Sequence, residues 1–363
     1  MPLFHQIFTY LAKNMKDIKY LSAYLLPASA LAALYWQGGW AWATVLLAFV
    51  IIPVAEIFTP ESTVNVSPEL ENNRSGIRFF DWLLYLNIPL VFGIVIWYVQ
   101  VATAGSISNL ELAGLTLGVG IIIGANGINV AHELGHRINR TEQNLSKLLL
   151  LPALYQHFFV EHNRGHHKHV ATDKDPASAR FGENVFAFWL RSVTGSWCSA
   201  WVIEGERLAK EGRPEWSWHN EMLRFSVFQV CWLAGIGWLF GWAGMAAAMA
   251  VATIGILLLE TINYIEHYGL RRRLLDSGRP EPVGPEHSWN SDHELGRIFL
   301  YELTRHSDHH FKATRKYQIL RHLDQSPQLP FGYPTSIILA LLPPLWFAVM
   351  NPRLRQTSVS VST

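Results

Sequence analysis

Polar and apolar positions alternate along the chain in long blocks. Six apolar runs stand out, at about 18–36, 39–58, 80–102, 109–131, 222–241 and 243–267. Each is close to the roughly 20 residues that cross about 30 Å of hydrocarbon as a helix. The runs pair as hairpins: "QGGW" joins the first two, "VATAGSISNL" the third and fourth, and "FGWAG" the last two, all without Lys or Arg. Lys13, Lys16, Lys19, Arg74, Arg78, Arg137, Arg140 and Lys147 fall on the other side, before the first run, between the second and third, or after the fourth. The excess of basic residues marks the cytoplasmic side, and an even number of spans returns both termini to it. Two shorter runs, 146–160 and 335–350, the second broken by Pro343-Pro344, read as interfacial or re-entrant helices. The Trp-bearing stretch 184–201 reads as amphipathic and lying on the membrane surface.

The expected organisation is all-α and polytopic. A cytoplasmic N-terminal segment spans 1–17, and a six-helix membrane domain spans 18–267 with a cytoplasmic insertion at 132–221. A polar, histidine-rich cap follows at 268–334, then an interfacial helix and a disordered tail at 335–363. Composition agrees: half of the residues are hydrophobic and only 16% are charged, against about 25% in soluble proteins. Fifteen Trp, 12 Tyr and 19 Phe fit lipid contact and interfacial belts. A formal net charge of +1, with no Lys/Arg block, excludes a nucleic-acid footprint. The N-terminus lacks the order of a cleavable signal peptide. With only Cys198 and Cys231, and no C-x-x-C pair, any metal must be held by His or carboxylate.

Nine of the 16 histidines fall into four places. His132 and His136 form H-E-L-G-H at the end of the fourth run; His162, His166 and His167 lie in E-H-N-R-G-H-H. His267 closes the sixth run, and His306, His309 and His310 form R-H-S-D-H-H. On an α-helix, residues three or four apart share a face, so each cluster is expected to present its imidazoles in one direction. The cytoplasmic ends of the fourth and sixth runs lie at one depth, within reach of the other two clusters. Nine imidazoles exceed one ion's capacity and suit two. A structural zinc site is filled by four ligands and a catalytic one needs three, whereas two five- or six-coordinate irons would use all nine; softness alone does not choose among Zn, Fe, Cu and Ni. His5, His157, His169, His219, His287, His293 and His322 read as interface or surface residues.

Carboxylates near the clusters, Glu133, Glu161, Asp173, Asp175, Glu266 and Asp308, read as acceptors for the second ring N–H of a ligand imidazole, Glu133, Asp173, Glu266 and Asp308 above all. Glu260 lies deep in the sixth run, where an ionisable residue needs a partner or a function.

The motifs H-E-L-G-H, E-H-N-R-G-H-H, N-Y-I-E-H-Y-G-L and L-T-R-H-S-D-H-H, in this order and among six spans, resemble the bacterial integral-membrane alkane monooxygenases over about residues 18–350. N-Y-I-E-H-Y-G-L separates that family from fatty acid desaturases and xylene monooxygenases, which share the histidine boxes more loosely. The resemblance implies a non-haem di-iron centre in the bacterial inner membrane that uses O2 to convert a medium or long n-alkane to a primary alcohol. It implies electrons from rubredoxin, itself reduced by an NADH-dependent reductase. Carried over, the ligands are His132, His136, His162, His166, His167, His267, His306, His309 and His310, with no haem or flavin and no catalytic residue beyond the metal centre.

The residues support parts of this independently. An alkane has no polar handle and must be recognised by an apolar channel. Attack on an unactivated C–H bond needs redox chemistry that zinc lacks. Without a rubredoxin-like C-x-x-C pair or a dinucleotide fingerprint, electrons must come from another protein. Arg271, Arg272, Arg273, Arg297, Arg305, Lys312, Arg315, Lys316 and Arg321 form a basic collection suited to an acidic donor or to anionic headgroups; Arg271, Arg272, Arg273, Arg315 and Lys316 are the donor-docking candidates. An intramembrane zinc protease would explain H-E-L-G-H but strand the other clusters. A fatty acid desaturase or hydroxylase, or a xylene-type monooxygenase, would use a similar centre on another substrate, and a metal transporter would need ionisable residues strung across the spans.

Overall fold

The computed structural model describes residues 15–356 and the backbone of 360–361. Lys13, His5, most of the N-terminal segment and most of the tail lie outside the described residues. Helices dominate: α1 Leu25–Trp36, α2 Gly38–Phe58, α3 Pro68–Ser75, α4 Arg78–Thr103 and α5 Asn109–Gly135. They continue with α6 Arg140–Leu149, α7 over 158–169, α8 Val185–Lys210 and α9 Glu221–His267. Four short helices complete the order: α10 Glu294–Phe299, α11 His306–Phe311, α12 Tyr333–Ala340 and α13 Pro343–Leu354. One two-residue ladder pairs Leu270–Arg271 antiparallel with Ser360–Val361.

Among the described residues four helices, α2, α4, α5 and α9, are long and apolar enough to cross a membrane, or five spans if α12 and α13, bent by 119°, count as one. Two departures from the six expected runs have local causes. The 18–36 run begins as a 3-10 helix, Met15–Tyr24, and becomes α-helical only at α1. Its buried side chains, Asp17, Tyr20 and Ala23, recur every third residue, the period at which a 3-10 helix keeps one face inward. Pro27 lacks the N–H that an α-helix would donate to Ala23.

The second departure is that the runs 222–241 and 243–267 form one 47-residue helical stretch, broken at Gly241 with φ 68° and ψ −173°. A side chain would be strained at that φ. The position a Cβ would take on Gly244 lies 3.5 Å from Ile236. Eight residues span about 12 Å along a continuous helix, so the stretch doubles back at Gly241.

α5 and the second arm of α9 form the centre. A Cβ on Gly255 would lie 3.2 Å from the backbone nitrogen of Gly124, and one on Gly120 would overlap Ile254. Small residues let membrane helices approach this closely, where lipid removes the hydrophobic drive that packs soluble helices. The close crossing fixes the two helices that carry His132 and His267 near their ends. α8 packs a stripe spaced by four residues, Phe188, Ser192, Ser196, Ala200 and Glu204, against the bundle, while Leu190, Trp197 and Val202 on its other face are exposed.

The polar 268–334 segment folds inward. Arg297 pairs with Glu302 at 2.6 Å, Arg321 with Asp308 at 2.7 Å, and Arg315 with Glu71 at 2.8 Å. Trp289 N–H donates to the Glu266 carbonyl at 2.8 Å, which ties this segment to the end of α9.

Candidate metal centre

All nine histidines converge, in two groups. His132, His136, His162, His167 and His309 form one; His166, His267, His306 and His310 form the other. Within each group, one ring nitrogen per residue lies within 4.8 Å of every other. Seven of the nine are buried, and His136 and His167 are half-buried. In the five-histidine group Nε2 of His309 lies 2.9 Å from that of His132 and 3.1 Å from that of His167. In the four-histidine group Nε2 of His306 lies 3.1 Å from that of His267 and 2.9 Å from that of His310. The groups adjoin, with the rings of His167 and His310 at 4.5 Å between centroids.

The clusters do not each point in one direction, and the reason is local. His162–His166 is a π turn, in which His167 N–H reaches the His162 carbonyl, five residues back. That register brings His162 and His167 to one group and turns His166 to the other. π turns of this kind gather at functional sites. In α11 the ordinary α spacing keeps His306 and His310 together, four residues apart, and sends His309 to the five-histidine group.

These residues fit a pair of metal ions. Burial, reinforced by neighbouring imidazoles, pushes His136, His162, His167, His306, His309 and His310 well below the ordinary imidazole value, so the rings are neutral at pH 7 and offer lone pairs. Nε2 of His136 and of His166 is buried without a hydrogen-bond partner. Leaving a buried polar atom unsatisfied costs about 1–3 kcal/mol, and a metal ion supplies the missing partner.

The carboxylates divide sharply in role. His166 Nδ1–H donates to Asp175 at 2.9 Å; Ala177 N–H at 3.0 Å and the Ser178 hydroxyl also donate to Asp175. Burial opposes the Asp175 charge, but His166 and these hydrogen bonds hold its carboxyl at about 2. Asp175 therefore fixes the tautomer of His166 and leaves Nε2 for a metal. Asp173, two residues away, is exposed and pairs with Arg271 at 3.3 Å. Glu266 accepts from the Tyr333 hydroxyl at 2.9 Å, and its other oxygen lies 3.3 Å from His306 Nε2, on the side where the ring nitrogens converge. Glu133 binds Arg137 at 2.9 Å and Tyr317 N–H at 3.1 Å, and Asp308 binds Arg321 and Arg315; both hold arginines rather than imidazoles. Glu260 accepts from Tyr155 at 2.8 Å and from Ser192, which answers its depth in the bundle with two hydroxyl partners. Glu161 lies 3.5 Å from the Ser199 hydroxyl.

The docking candidates are largely engaged within the chain. Besides Arg271 with Asp173 and Arg315 with Glu71, Arg273 pairs with Glu281 at 3.2 Å and Lys316 with Asp81 at 3.0 Å. Arg272 donates to the carbonyls of Glu281 and Lys168. Of the histidines read as peripheral, His157 and His287 are buried, and His322 joins Asp292 to Asp324.

Known proteins place this geometry. The fatty acid desaturase family model matches residues 107–337, which includes all nine histidines. The chain is 40% identical over 327 residues to alkane 1-monooxygenase 2 of Pseudomonas aeruginosa, covering 88% of this chain and 85% of the relative. It is 39% identical over 304 residues to the alkane 1-monooxygenase of Acinetobacter baylyi, covering 84% and 74%. The xylene/toluene monooxygenase hydroxylase component XylM of Pseudomonas putida is more distant, at 27% over 347 residues, covering 94% and 90%. Two convergent histidine groups at the ends of apolar helices, together with this extent of identity, make the chain a member of the alkane 1-monooxygenase family.

Proposed function

We propose that this protein hydroxylates the terminal methyl of medium or long n-alkanes, taking up O2, two electrons and two protons and giving a 1-alkanol and water. The observation that carries the reading is the convergence of nine histidines, seven buried and two half-buried, into adjoining groups of five and four. Two irons are the proposed occupants, held by His132, His136, His162, His167 and His309 on one side and by His166, His267, His306 and His310 on the other. Iron supplies the O2 activation that zinc cannot. The chain's own residues hold those ligands in neutral form, brace His166 through Asp175, and keep the reacting region dry.

An apolar cavity of about 50 Å³ supports the substrate assignment. It is lined by Ile121, Ala125, Leu258, Ile262, Phe299 and Leu300, among others. Ala125 lies two turns before His132 on α5, and Ile262 one turn before Glu266 on α9, so the cavity opens on the membrane side of the metal groups. Asn129 donates to the Leu300 carbonyl at 3.0 Å and fixes that wall. A methyl terminus there meets only hydrocarbon.

Six spans remain the proposed topology. Ten 3-10 residues and the twelve of α1, rising about 2.0 and 1.5 Å each, reach about 38 Å, and α9 contributes two crossings by doubling back. The basic loops favour the inner membrane with the metal centre, the 132–221 insertion, the 268–334 cap and both termini on the cytoplasmic side; α8 and the α12–α13 pair are the proposed interfacial elements. Rubredoxin is the proposed donor, steered by the cationic side chains Arg271, Arg272, Arg273, Arg315 and Lys316, of which Arg273 is the exposed one. Its NADH-dependent reductase completes the supply.

The test is metal content of the purified chain, paired with dodecane turnover in the presence of NADH, rubredoxin and its reductase. About two irons per chain and 1-dodecanol are expected. One zinc without alcohol would overturn the reading, and oxidation of acyl substrates in place of dodecane would move it to lipid desaturation or hydroxylation.

A further inference from the structure

Two cavities meet at the start of α9, and their linings differ in kind. The outer one, about 580 Å³, has among the described residues five guanidiniums in its wall, Arg140, Arg164, Arg207, Arg213 and Arg224, against the carboxylates of Glu211 and Glu221. Glu204, buried behind it, holds Arg164 at 3.0 Å and also pairs with Arg207. Glu211 takes Arg207 at 2.7 Å and Arg213 at 3.4 Å, and Glu221 takes Arg224 at 3.1 Å as well as Lys147. Cations therefore outnumber the acids that fix them, and the surplus faces the cavity. The inner cavity, also about 580 Å³, shares Glu221 and Arg224 with the outer one and continues along Leu148, Leu151, Phe225, Phe228 and Trp232.

Polar atoms without partners mark the passage between the two. Arg224 Nε, Gln156 Oε1 and Trp232 Nε1 are buried without a hydrogen-bond partner, and both Gln156 and Trp232 line the inner cavity. Trp232 lies two turns below Arg224, about 12 Å along the helix. Exposed Trp216 and Trp218 stand at the outer end, as amphipathic rings do at a membrane–water interface.

We propose that the joined cavities hold one anionic phospholipid, its phosphate among the arginines and an acyl chain along the α6–α9 groove. An alkane would leave the excess positive charge of the arginines uncompensated, and a free phosphate would leave the apolar groove unfilled. Arg164 belongs to the π turn that carries His162 and His166, so the headgroup touches the segment that holds the metal ligands.

Native mass spectrometry of the full chain, released from detergent after incubation with phosphatidylglycerol or phosphatidylcholine, tests this. One phosphatidylglycerol retained per chain is expected, with about tenfold preference over phosphatidylcholine and about tenfold loss in the double variant R213Q/R224Q. The single variant Phe228→Ser, on the lipid-facing edge of the groove, is expected to weaken retention while leaving helix content and metal content unchanged. Equal retention of the two lipids, or wild-type retention in R213Q/R224Q, would overturn the headgroup site. Full displacement by inorganic phosphate, or no effect of Phe228→Ser, would overturn the acyl groove. Loss of rubredoxin binding in R213Q/R224Q with lipid retention intact would reassign the arginines to a protein partner and sink the proposal.

Discussion

The two histidine groups solve one coordination problem by different means. The five-histidine group relies on number: five imidazoles converge, and among the described residues none of them pairs with a carboxylate. The four-histidine group has one imidazole fewer, but Asp175 braces His166 from behind through Nδ1, and Glu266 brings a carboxylate oxygen to the side where the ring nitrogens converge. An anionic brace raises the basicity of the imidazole it holds, so a smaller set can match a larger one. The difference teaches that ligand count and ligand quality substitute for each other within one site.

Removing a ligand from each side should break this balance most clearly. His306→Ala leaves three imidazoles and is expected to cost one of two bound irons and more than about 100-fold in turnover. His136→Ala leaves four and should retain more iron than His306→Ala in a side-by-side metal analysis; equal losses would show that number does not compensate. Asp175→Asn is next, with an expected fall of about 10–100-fold in metal affinity confined to the four-histidine group and read by spectroscopic titration of the two positions. Asp173→Asn, on an exposed side chain, should change nothing. Glu266→Gln keeps the Tyr333 hydrogen bond but not the charge, and about a tenfold loss in the same titration is expected.

The last expectation concerns acid and the metal-free protein. With metal chelated, His162, His167, His306, His309 and His310 have folded values below the unfolded one of about 6.5 because burial disfavours their charge. The unfolded chain then binds protons first, and stability falls as pH drops below about 6.5, by at most about 1.4 kcal/mol per pH unit for each histidine. Thermal unfolding of the chelated protein between neutral and mildly acidic pH checks this. A metal-loaded sample should hold its midpoint to lower pH, because bound ions stabilise only the folded state.

The convergence of the nine histidines was readable from the chain, since their clustering and their depth at the ends of apolar runs are matters of order and hydropathy. Their division between two positions was not. Spacing of four residues implies a shared face only if the helix is α, and the π turn at His162–His166 moves the shared face to spacing five. The carboxylate brace was half legible: both aspartates of "TDKD" lie near the box in sequence, but only folding decides that Asp175 turns inward and Asp173 outward. Composition marks 268–334 as a polar cap but counts charges without showing that Arg297 and Glu302, or Arg321 and Asp308, pair with each other. The first apolar run hid a period of three beneath its overall hydropathy.

The division of the ligands has a mechanical result. His166 and His167 are consecutive residues that serve opposite groups, and so are His309 and His310. Two peptide bonds therefore straddle the gap between the groups, each fixing its pair of Cα atoms at about 3.8 Å. Helices can drift or tilt in a bilayer of changing thickness, but a trans peptide bond does not stretch. The spacing of the two histidine groups is thus tethered by covalent geometry, and the surrounding bundle can flex without pulling them apart.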